Sequence, residues 1–190
     1  GYRALMVSFS DLAAMRALPR YCLVSLSMDE TQGAAWVVAL ARGMADAARE
    51  LGVYVCGGNL TRGPLNIAVS VHGEVEQHQV LRRSGGRAGQ QLSVTGALGA
   101  AAACVRTAQM LPVNATALTP LQRAYYRPQA RFDVAAMAAA ASAGLDISDG
   151  LSQDLAHLCA ASGCGAALQS SSIPLAAGAT LEDALFGGDD

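Results

Sequence analysis

The segment from residue 146 to residue 155, Asp-Ile-Ser-Asp-Gly-Leu-Ser-Gln-Asp-Leu, constrains this chain most, because it combines a helix start with clustered carboxylates. Ser148 can cap the first turn, and leucines recur after it at helical spacing as far as Gly163. A helix N-terminus attracts anions, and carboxylates beside it allow a divalent cation to bridge protein and phosphate. The alternative is that Asp146 and Asp149 only cap the helix and complement its dipole.

A glycine-rich segment follows a short apolar run in the first half of the chain. Residues 53–56 are apolar, residues 57–64 read Gly-Gly-Asn-Leu-Thr-Arg-Gly-Pro, and apolar residues then alternate over residues 65–71. The pattern predicts a strand, a loop and a second strand. Glycines let the backbone approach a bound oxyanion, Thr61 adds a hydroxyl, and Arg62 offers a bidentate fork for phosphate. The alternative is an ordinary glycine connection with a solvated arginine.

The composition indicates a globular protein that lacks an electrostatic basis for binding nucleic acid or anionic membranes. The 190 residues are 52% hydrophobic, the net charge is −2, and all 13 basic residues are arginine. Without lysine, no Gly-x-x-x-x-Gly-Lys phosphate loop can be drawn. The five cysteines lack zinc-site spacing, and no apolar run reaches the roughly 18 residues that span a bilayer. We therefore expect reduced cysteines and a cytoplasmic protein.

The first half of the chain alternates predicted strands and helices. We expect a strand at residues 4–9, a helix at residues 36–51 and a strand at residues 65–75. A polar junction rich in arginine and glycine follows. The fold class that these patterns predict is α/β (α+β), in two domains at residues 1–86 and 87–190.

The second half continues the alternation. We expect strands at residues 91–96 and 166–168, and helices at residues 100–110 and 129–143. Glycines after the first of these strands suggest a dinucleotide-binding fold. That interpretation is disfavoured because Gly-x-Gly-x-x-Gly is absent and no acidic residue follows about 20 positions later.

Several separate motifs occur in the order found in the thiamine-monophosphate kinase family, which this chain resembles over nearly its whole length. They lie at residues 10–15, 57–64, 71–75, 81–85, 94–96 and 146–155, and residues 187–190 are similar to the start of a further motif. The resemblance implies the two-domain fold of the ATP-binding superfamily that contains aminoimidazole ribonucleotide synthetase and selenophosphate synthetase. We expect both ends of the natural protein to lie beyond this sequence, with another Asp-containing metal motif upstream of Gly1.

The resemblance implies ATP-dependent phosphorylation of thiamine monophosphate to thiamine diphosphate. Direct in-line transfer requires that the reactants are aligned and that charge on the transferring group is neutralised. Carboxylates that hold Mg²⁺ can do both, so the resemblance implies Mg²⁺ as the cofactor. The resemblance also implies a homodimer that pairs through its N-terminal domains. The residues it implicates are Asp149 and Arg62 in catalysis, Asp11, Asn59 and Asp149 in metal binding, and Gly57, Gly58, Asn59, Thr61, Arg62 and Ser148 in nucleotide binding.

The chain departs from the family pattern at several positions. Asn59 and Leu60 stand where the family has Asp and Thr, and Ala100 stands where it has Asp. Ser8 and Arg16 replace the usual Asn and Gly. An asparagine carbonyl can ligate Mg²⁺, but it brings no negative charge to offset repulsion between neighbouring metal ions. The alternative function is therefore a noncatalytic homologue that binds nucleotide or thiamine phosphate. Another reaction of the superfamily is disfavoured, because the motifs fit the thiamine enzyme better.

Overall fold

The computed structural model describes residues 1–107, 117–135 and 140–188 of the chain, which form a mixed set of helices and strands. In chain order the elements are α1 (Tyr2–Ala14), β1 (Leu18–Met28), α2 (Ala34–Leu51), β2 (Tyr54–Arg62), β3 (Asn66–Glu74), α3 (Ala100–Arg106), α4 (Pro120–Tyr126), α5 (Phe132–Ala135), α6 (Leu151–Ser162), a 3-10 turn (Ser170–Ser172) and α7 (Leu181–Phe186). No helix among these residues is both long enough and apolar enough to cross a membrane.

A three-stranded sheet organises the N-terminal half, with β1 at its centre. β2 runs parallel to β1, and β3 runs antiparallel to it, so the strand order is β2-β1-β3. Parallel neighbours cannot be joined by a tight turn, and α2 supplies the crossover between β1 and β2. Residues 21–27 of β1 therefore lie between two partner strands.

The first element is a helix, and the predicted strand at residues 4–9 is wrong. The buried residues of α1 recur at helical spacing over the whole element: they are Tyr2, Leu5, Met6, Phe9, Leu12 and Ala13. Within residues 4–9 alone the sequence is apolar except for Ser8, which fits a buried strand as well as a helix. The helical period becomes visible only when the flanking residues are included.

The proline-containing stretch after α1 forms the central strand, which the sequence patterns did not predict. Cys22 and Leu26 of β1 are buried, whereas Tyr21 and Leu23 are about 40% exposed on the other face. The main core combines α1, α2 and this inner face of the sheet, with Phe9 fully buried within it. Burial of this one face explains why β1 alternates.

Several predicted elements are confirmed. The helix expected at residues 36–51 is α2, and Gly52 ends it in the left-handed conformation with φ 66°. Gly163 ends α6 in the same way with φ 65°. The strand expected at residues 65–75 is β3, whose residues alternate between partly buried and exposed.

The loop predicted at residues 57–64 is wrong for residues 57–62, because these belong to β2. They pair in parallel with residues 23–28 of β1. Gly58 lies so close to its neighbour that an added Cβ would stand 1.7 Å from the carbonyl oxygen of Val24. This glycine is therefore required by the contact between two strands. Composition suggested a loop because glycine is depleted in ordinary strands.

The second half differs more from the sequence-based expectations. Residues 91–96 and 166–168 form no strand, and the described residues of this half contain only an isolated bridge between Leu98 and Leu175. The helix expected at residues 100–110 is α3, although residues 108–110 lie outside the described residues. The helix expected at residues 129–143 is represented by α5 alone; residues 136–139 are outside the described part, and residues 141–143 are not helical.

The proposed domain division at residue 86 stays a prediction. At this junction the Gly86 N–H donates to Ser162 Oγ at 3.0 Å, and the Gly144 N–H donates to the Arg82 carbonyl oxygen at 3.0 Å. The junction is thus hydrogen-bonded to α6 and to the segment before it.

Replacing Gly58 with Ala should destabilise the protein by about 3 kcal/mol, because the new methyl group would force β2 away from β1. The matched control is Gly33→Ala, where no atom lies within 4 Å of the added Cβ, and the expected loss there is below about 1 kcal/mol. Urea unfolding of the full-length protein measures both. Equal losses in the two variants would contradict the proposed strand contact.

Candidate functional site

The candidate residues Thr61 and Arg62 lie at the end of β2, beside the end of β1. The strand register pairs Ser27 with Thr61 and Met28 with Arg62. An open cavity of about 330 Å³ lies here, lined by Met28, Asp29, Glu30, Leu60, Thr61 and Arg62. We call it the sheet-end cavity. Strand pairing thus brings a hydroxyl and a guanidinium beside two carboxylates.

Both carboxylates of the sheet-end cavity accept hydrogen bonds. Asp29 Oδ1 accepts from the Thr31 hydroxyl at 2.6 Å and from the Thr31 backbone N–H at 2.8 Å, and these bonds lower the pKa of Asp29. Glu30 Oε1 accepts from Arg62 Nη2 at 3.1 Å, in a pair whose side chains are 83% and 79% exposed. An ion pair this exposed contributes little to stability. Arg62 can therefore exchange Glu30 for a phosphate oxygen at small energetic cost.

The candidates Gly57, Gly58 and Asn59 follow one another along β2 and are exposed. β2 is an edge strand of the described sheet, hydrogen-bonded only to β1. Its outer backbone groups are therefore open to a ligand, although the segment is a strand rather than the flexible loop expected from the sequence.

A pair of carboxyl groups joins α1 to the segment before α6. The side chain of Asp11, in the last turn of α1, is hydrogen-bonded to Asp146, which also receives a bond from Ser10. Burial first, and then the negative charge of Asp11, raise the pKa of Asp146 to about 6. Sequence reasoning left Asp146 open between a cation site and a capping role, and it missed this contact. The available signal was its position three residues before Asp149 in the same acidic motif.

Asp149 lies on the exposed turn before α6, and Asp154 holds that turn. Asp154 Oδ2 accepts from the backbone N–H groups of Ser148 and Asp149, both at 2.9 Å, and its side chain is buried. Asp149 Oδ2 accepts from Gln153 Nε2 at 3.1 Å. The prediction that Ser148 caps α6 is wrong: the cap is Gly150, without a side-chain bond. A carboxylate reaching back from the first turn takes over the role expected of the serine.

The end of the described chain packs closely against this turn. A Cβ added at Gly188 would stand 1.7 Å from the Ser148 carbonyl oxygen. At Gly150, which has φ +104°, an added Cβ would stand 2.8 Å from the Leu185 carbonyl oxygen. Side chains at either position would separate the two segments. The Asp149 turn is therefore supported from both Asp154 and the residues after α7.

An ion pair between a half-exposed arginine and a buried aspartate ties α7 to α3. Arg106 Nε and Nη2 donate to Asp183 Oδ1 and Oδ2, both at 2.8 Å, and the Asp183 side chain is only 5% exposed. Asp183 also completes a capping box with Thr180 at the start of α7. The hydrogen bonds from Arg106 are the main reason that the pKa of Asp183 falls to about 2.

These contacts do not bring all of the metal-ligand candidates together. Within residues 1–107, 117–135 and 140–188, no three His, Cys, Asp or Glu side chains form a group that could hold a metal ion. Asp11 contacts Asp146, whereas Asp149 is bonded to Gln153 and Asn59 lies in β2. The metal-binding roles of Asp11, Asn59 and Asp149 stay predictions. The Asp11–Asp146 pair places two carboxyl groups side by side.

Comparison with known proteins first identifies the domain family of the N-terminal part of the chain. Residues 1–75 match the family of AIR synthase related proteins, N-terminal domain. This match covers α1, α2 and the three-stranded sheet, and it confirms the predicted α/β (α+β) fold of the aminoimidazole ribonucleotide synthetase type. More distant similarity, at 17% identity and a TM-score of 0.75, to the hydrogenase maturation protein HypE in complex with ATP supports the same fold.

Closer relatives narrow the class. The chain is 35% identical to the thiamine-monophosphate kinase of Salmonella typhimurium, with 100% of this chain and 61% of the relative aligned. It is 31% identical to the crystal structure of thiamine monophosphate kinase from Aquifex aeolicus, with a TM-score of 0.86 over 100% of this chain and 68% of the other. It is 30% identical to AaThiL complexed with AMPPCP and TMP, with a TM-score of 0.88 over 98% of this chain and 64% of the other.

This chain belongs to the thiamine-monophosphate kinase family. It spans 61% of the length of the Salmonella relative, so part of what that protein contains has no counterpart here.

Replacing Asp146 with Asn should stabilise the protein at neutral pH. A carboxyl whose pKa is raised to about 6 destabilises the folded state when it ionises, so the penalty is full above about pH 6 and disappears toward pH 4. Asp146→Asn should therefore raise the free energy of unfolding at pH 7.5 and change it little near pH 4. Added Mg²⁺ should stabilise wild type more than this variant. Urea unfolding at both pH values, with and without Mg²⁺, measures these differences.

The matched control is Asp46→Asn, which removes an exposed carboxylate that pairs with Arg49 at 2.9 Å. It should give no stabilisation at either pH. A gain of the same size in both variants would reflect overall charge and would contradict the specific repulsion between Asp11 and Asp146.

Replacing Arg106 with Gln should lower the free energy of unfolding at pH 7, because Asp183 loses a bidentate charged partner. A depressed carboxyl pKa adds stability above about pH 4 that is lost as the pH falls through about 2. The difference from wild type should therefore shrink over that range. Arg49→Gln, which breaks an exposed pair, should stay within about 0.5 kcal/mol. A pH-independent loss in Arg106→Gln would contradict the ion pair as its cause.

Proposed function

We propose that the full-length protein transfers a phosphoryl group from ATP to thiamine monophosphate, forming thiamine diphosphate in the cytoplasm. The observation that carries the proposal is the similarity, over 98% of this chain, to AaThiL complexed with AMPPCP and TMP, which correspond to an ATP analogue and the acceptor. All five cysteines are free thiols, which agrees with a reducing compartment.

The sheet-end cavity is the best candidate for contacts with the nucleotide phosphates. Arg62 presents two N–H groups that match two oxygens of one phosphate, and Thr61 beside it presents a hydroxyl. Gly57 and Gly58 contribute open backbone on the same edge strand, and Asn59 contributes an amide. The acceptor is a phosphate that is already ionised at neutral pH, so these residues need to orient it and have no proton to remove.

The carboxylates of this chain fit Mg²⁺. Asp11 and Asp146 are in contact, and a cation held between them relieves the repulsion that raises the pKa of Asp146. Asp149 would add a carboxylate from the supported turn, and Asn59 a neutral oxygen. Bound Mg²⁺ would supply neutralisation of the charge on the phosphoryl group during direct in-line transfer. Further ligands from the part of the relatives that is absent here would complete the set.

A noncatalytic homologue that binds nucleotide or thiamine phosphate is the second candidate. Asn59, Leu60 and Ala100 favour it, because they replace polar or charged residues of the family. Leu60 lines the sheet-end cavity and is 63% exposed, so an apolar side chain stands where a hydroxyl would serve a phosphate. Loss of carboxylate charge weakens the binding of adjacent metal ions.

We also propose that the protein is a homodimer formed through the open face of the sheet. Tyr21 and Leu23 of β1 are exposed on that face, and Tyr21 stacks on His72 of β3 at 4.6 Å between ring centroids. Large apolar side chains in a contiguous exposed patch are typical of a subunit interface.

Restoring the family residues with Asn59→Asp and Leu60→Thr should raise kinase turnover and lower the Mg²⁺ concentration required. Asn59→Asp should account for most of the gain, because a carboxylate offsets repulsion between metal ions and a hydroxyl adds only a neutral contact. Thiamine diphosphate formed by the full-length variants across a range of Mg²⁺ measures this. In the same assay Arg62→Lys should lose about one to two decades of nucleotide affinity.

Gln77→Glu is the matched control, since it adds a carboxylate at an exposed position outside the sheet-end cavity. It should change neither turnover nor Mg²⁺ requirement. Improved metal binding without any thiamine diphosphate in the restored variant would favour the noncatalytic homologue. Full wild-type activity that Asn59→Asp destroys would instead indicate an adapted metal arrangement.

Replacing Leu23 with Asp should dissociate the homodimer, because a charge in the centre of the apolar patch would be buried on association. Sedimentation equilibrium of the full-length protein measures the change. Val38→Asp, at a 47% exposed position of α2, is the control and should leave the dimer intact. A monomeric wild type would rule out the dimer proposal.

A further inference from the structure

A second cavity, of about 580 Å³, opens at the other end of the sheet. It lies between the end of α1, the start of β1, the end of α2 and residues 129–133. Met6, Leu18 and Phe132 give it apolar walls, and Arg16 also lines it. We call it the Arg16 groove. Glu50 and Asp133 line it as well. A concave surface with apolar walls and a few polar or charged groups is typical of a site for a small ligand.

Arg16 has a backbone conformation that arginine rarely adopts. Among the described residues it is the one non-glycine residue with positive φ, at 62°. It closes α1 in a Schellman motif: the Arg16 N–H donates to the Ala13 carbonyl oxygen at 2.9 Å, and the Ala17 N–H donates to that of Leu12 at 2.8 Å. Glycine is usual at this position because a side chain strains the backbone.

The strain requires an explanation in terms of the side chain. A positive charge here complements the carbonyl end of α1, but a basic residue in the last helical turn would do the same without positive φ. Strained residues cluster at ligand sites, where the contact that they make compensates for the strain. The guanidinium of Arg16 is therefore the group that would make such a contact.

Arg16 differs from the acidic residues that share its groove. Glu50 accepts a hydrogen bond from the Tyr2 hydroxyl at 2.8 Å, and Asp133 pairs with Arg131 at 3.1 Å. In the part of the chain that the structure describes, no hydrogen bond or ion pair involves the Arg16 guanidinium. An unpaired guanidinium beside apolar walls favours a ligand that carries an oxyanion.

The groove is separate from the proposed kinase site. The groove is lined by Leu18 at the start of β1, and the sheet-end cavity by Met28 at its end. Ten residues of extended strand place these positions about 33 Å apart. Around the axis of α1, Met6 in the groove and Asp11 of the carboxyl pair point in directions about 140° apart. A ligand in the groove therefore does not occupy the nucleotide position.

We propose that the Arg16 groove is a second binding site, for a small molecule with a phosphate or carboxylate group on a planar apolar body. Arg16 binds the oxyanion through its two-pronged N–H groups, and Leu18 and Phe132 contact the apolar body. Either oxyanion satisfies the guanidinium, so the choice between a phosphate ester and a carboxylate is left to experiment.

Four probes test the proposal on the full-length protein: phenyl phosphate, benzoate, inorganic phosphate and benzyl alcohol, each titrated by calorimetry. At least one aromatic anion should bind more tightly than inorganic phosphate, and benzyl alcohol should bind most weakly. The stronger of phenyl phosphate and benzoate identifies the oxyanion. Arg16→Gly should weaken the aromatic anion about 10- to 100-fold. The same variant should melt at or above the wild-type temperature, since glycine removes the strain.

Leu18→Ala separates the two parts of the site. Leu18 is 54% exposed, so its truncation should leave the fold intact while weakening the aromatic anions and not inorganic phosphate. Arg42→Gln, an exposed arginine of α2 outside the groove, should bind all probes as wild type does. Arg62→Gln should still bind the aromatic anions more tightly than inorganic phosphate, because Arg62 lies in the other cavity.

Three results would overturn the proposal: no binding of any anion to folded wild type, unchanged binding in Arg16→Gly, or loss of binding in Arg62→Gln. If Arg16→Gly does not fold, Arg16→Asn replaces it, since asparagine tolerates positive φ and carries no charge. Retained affinity in a folded Arg16→Asn variant would equally refute the site.

Discussion

The hydrogen bonding of β1 on both sides is the constraint on which the rest of the N-terminal half depends. Its inner face, with Cys22 and Leu26, is buried, so a shift by one residue would expose that face. Its register with β2 places Arg62 beside Met28 at the sheet-end cavity. Its other end begins just after α1, where Arg16 turns the chain. The position of β1 therefore determines where both cavities lie.

Three aspartates show how surroundings decide the role of a carboxylate. Asp183 is buried but bidentately bonded to Arg106, and its pKa falls to about 2, so it stabilises the fold as an anion. Asp154 is buried and accepts two backbone N–H groups, which gives it a structural role. Burial, and then the facing charge of Asp11, raise the pKa of Asp146 to about 6. Of these, only Asp146 is left with a charge problem that a metal ion would resolve.

Elements with a long period and a clear end could be predicted from the sequence. α2 and α6 combine a helical stripe with a terminal glycine, and β3 alternates over its whole length. The failures have physical causes. The apolar residues of α1 show helical spacing only over the whole element, and residues 4–9 alone are too few to reveal it. The glycines of β2 indicated a loop, although Gly58 allows a close contact between strands. Contacts between distant segments, such as that of Asp11 with Asp146, leave no periodic signal, so the motif could be found but not its partner.

The candidate site contains residues from both halves of the chain. The hydrogen bonds of Gly86 and Gly144 that join the halves do not involve two of the positions at which the chain departs from the family pattern. Asp11 comes from α1 and Asp146 from the segment before α6, so their contact depends on how the halves meet. Gly86 and Gly144 supply backbone hydrogen bonds at that junction, and none of these involves Asn59 or Leu60. Both of those residues are exposed on an edge strand, where a polar or apolar replacement changes little packing. Substitution at positions 59 and 60 therefore has little effect on stability, and the intact fold does not by itself imply an intact metal site.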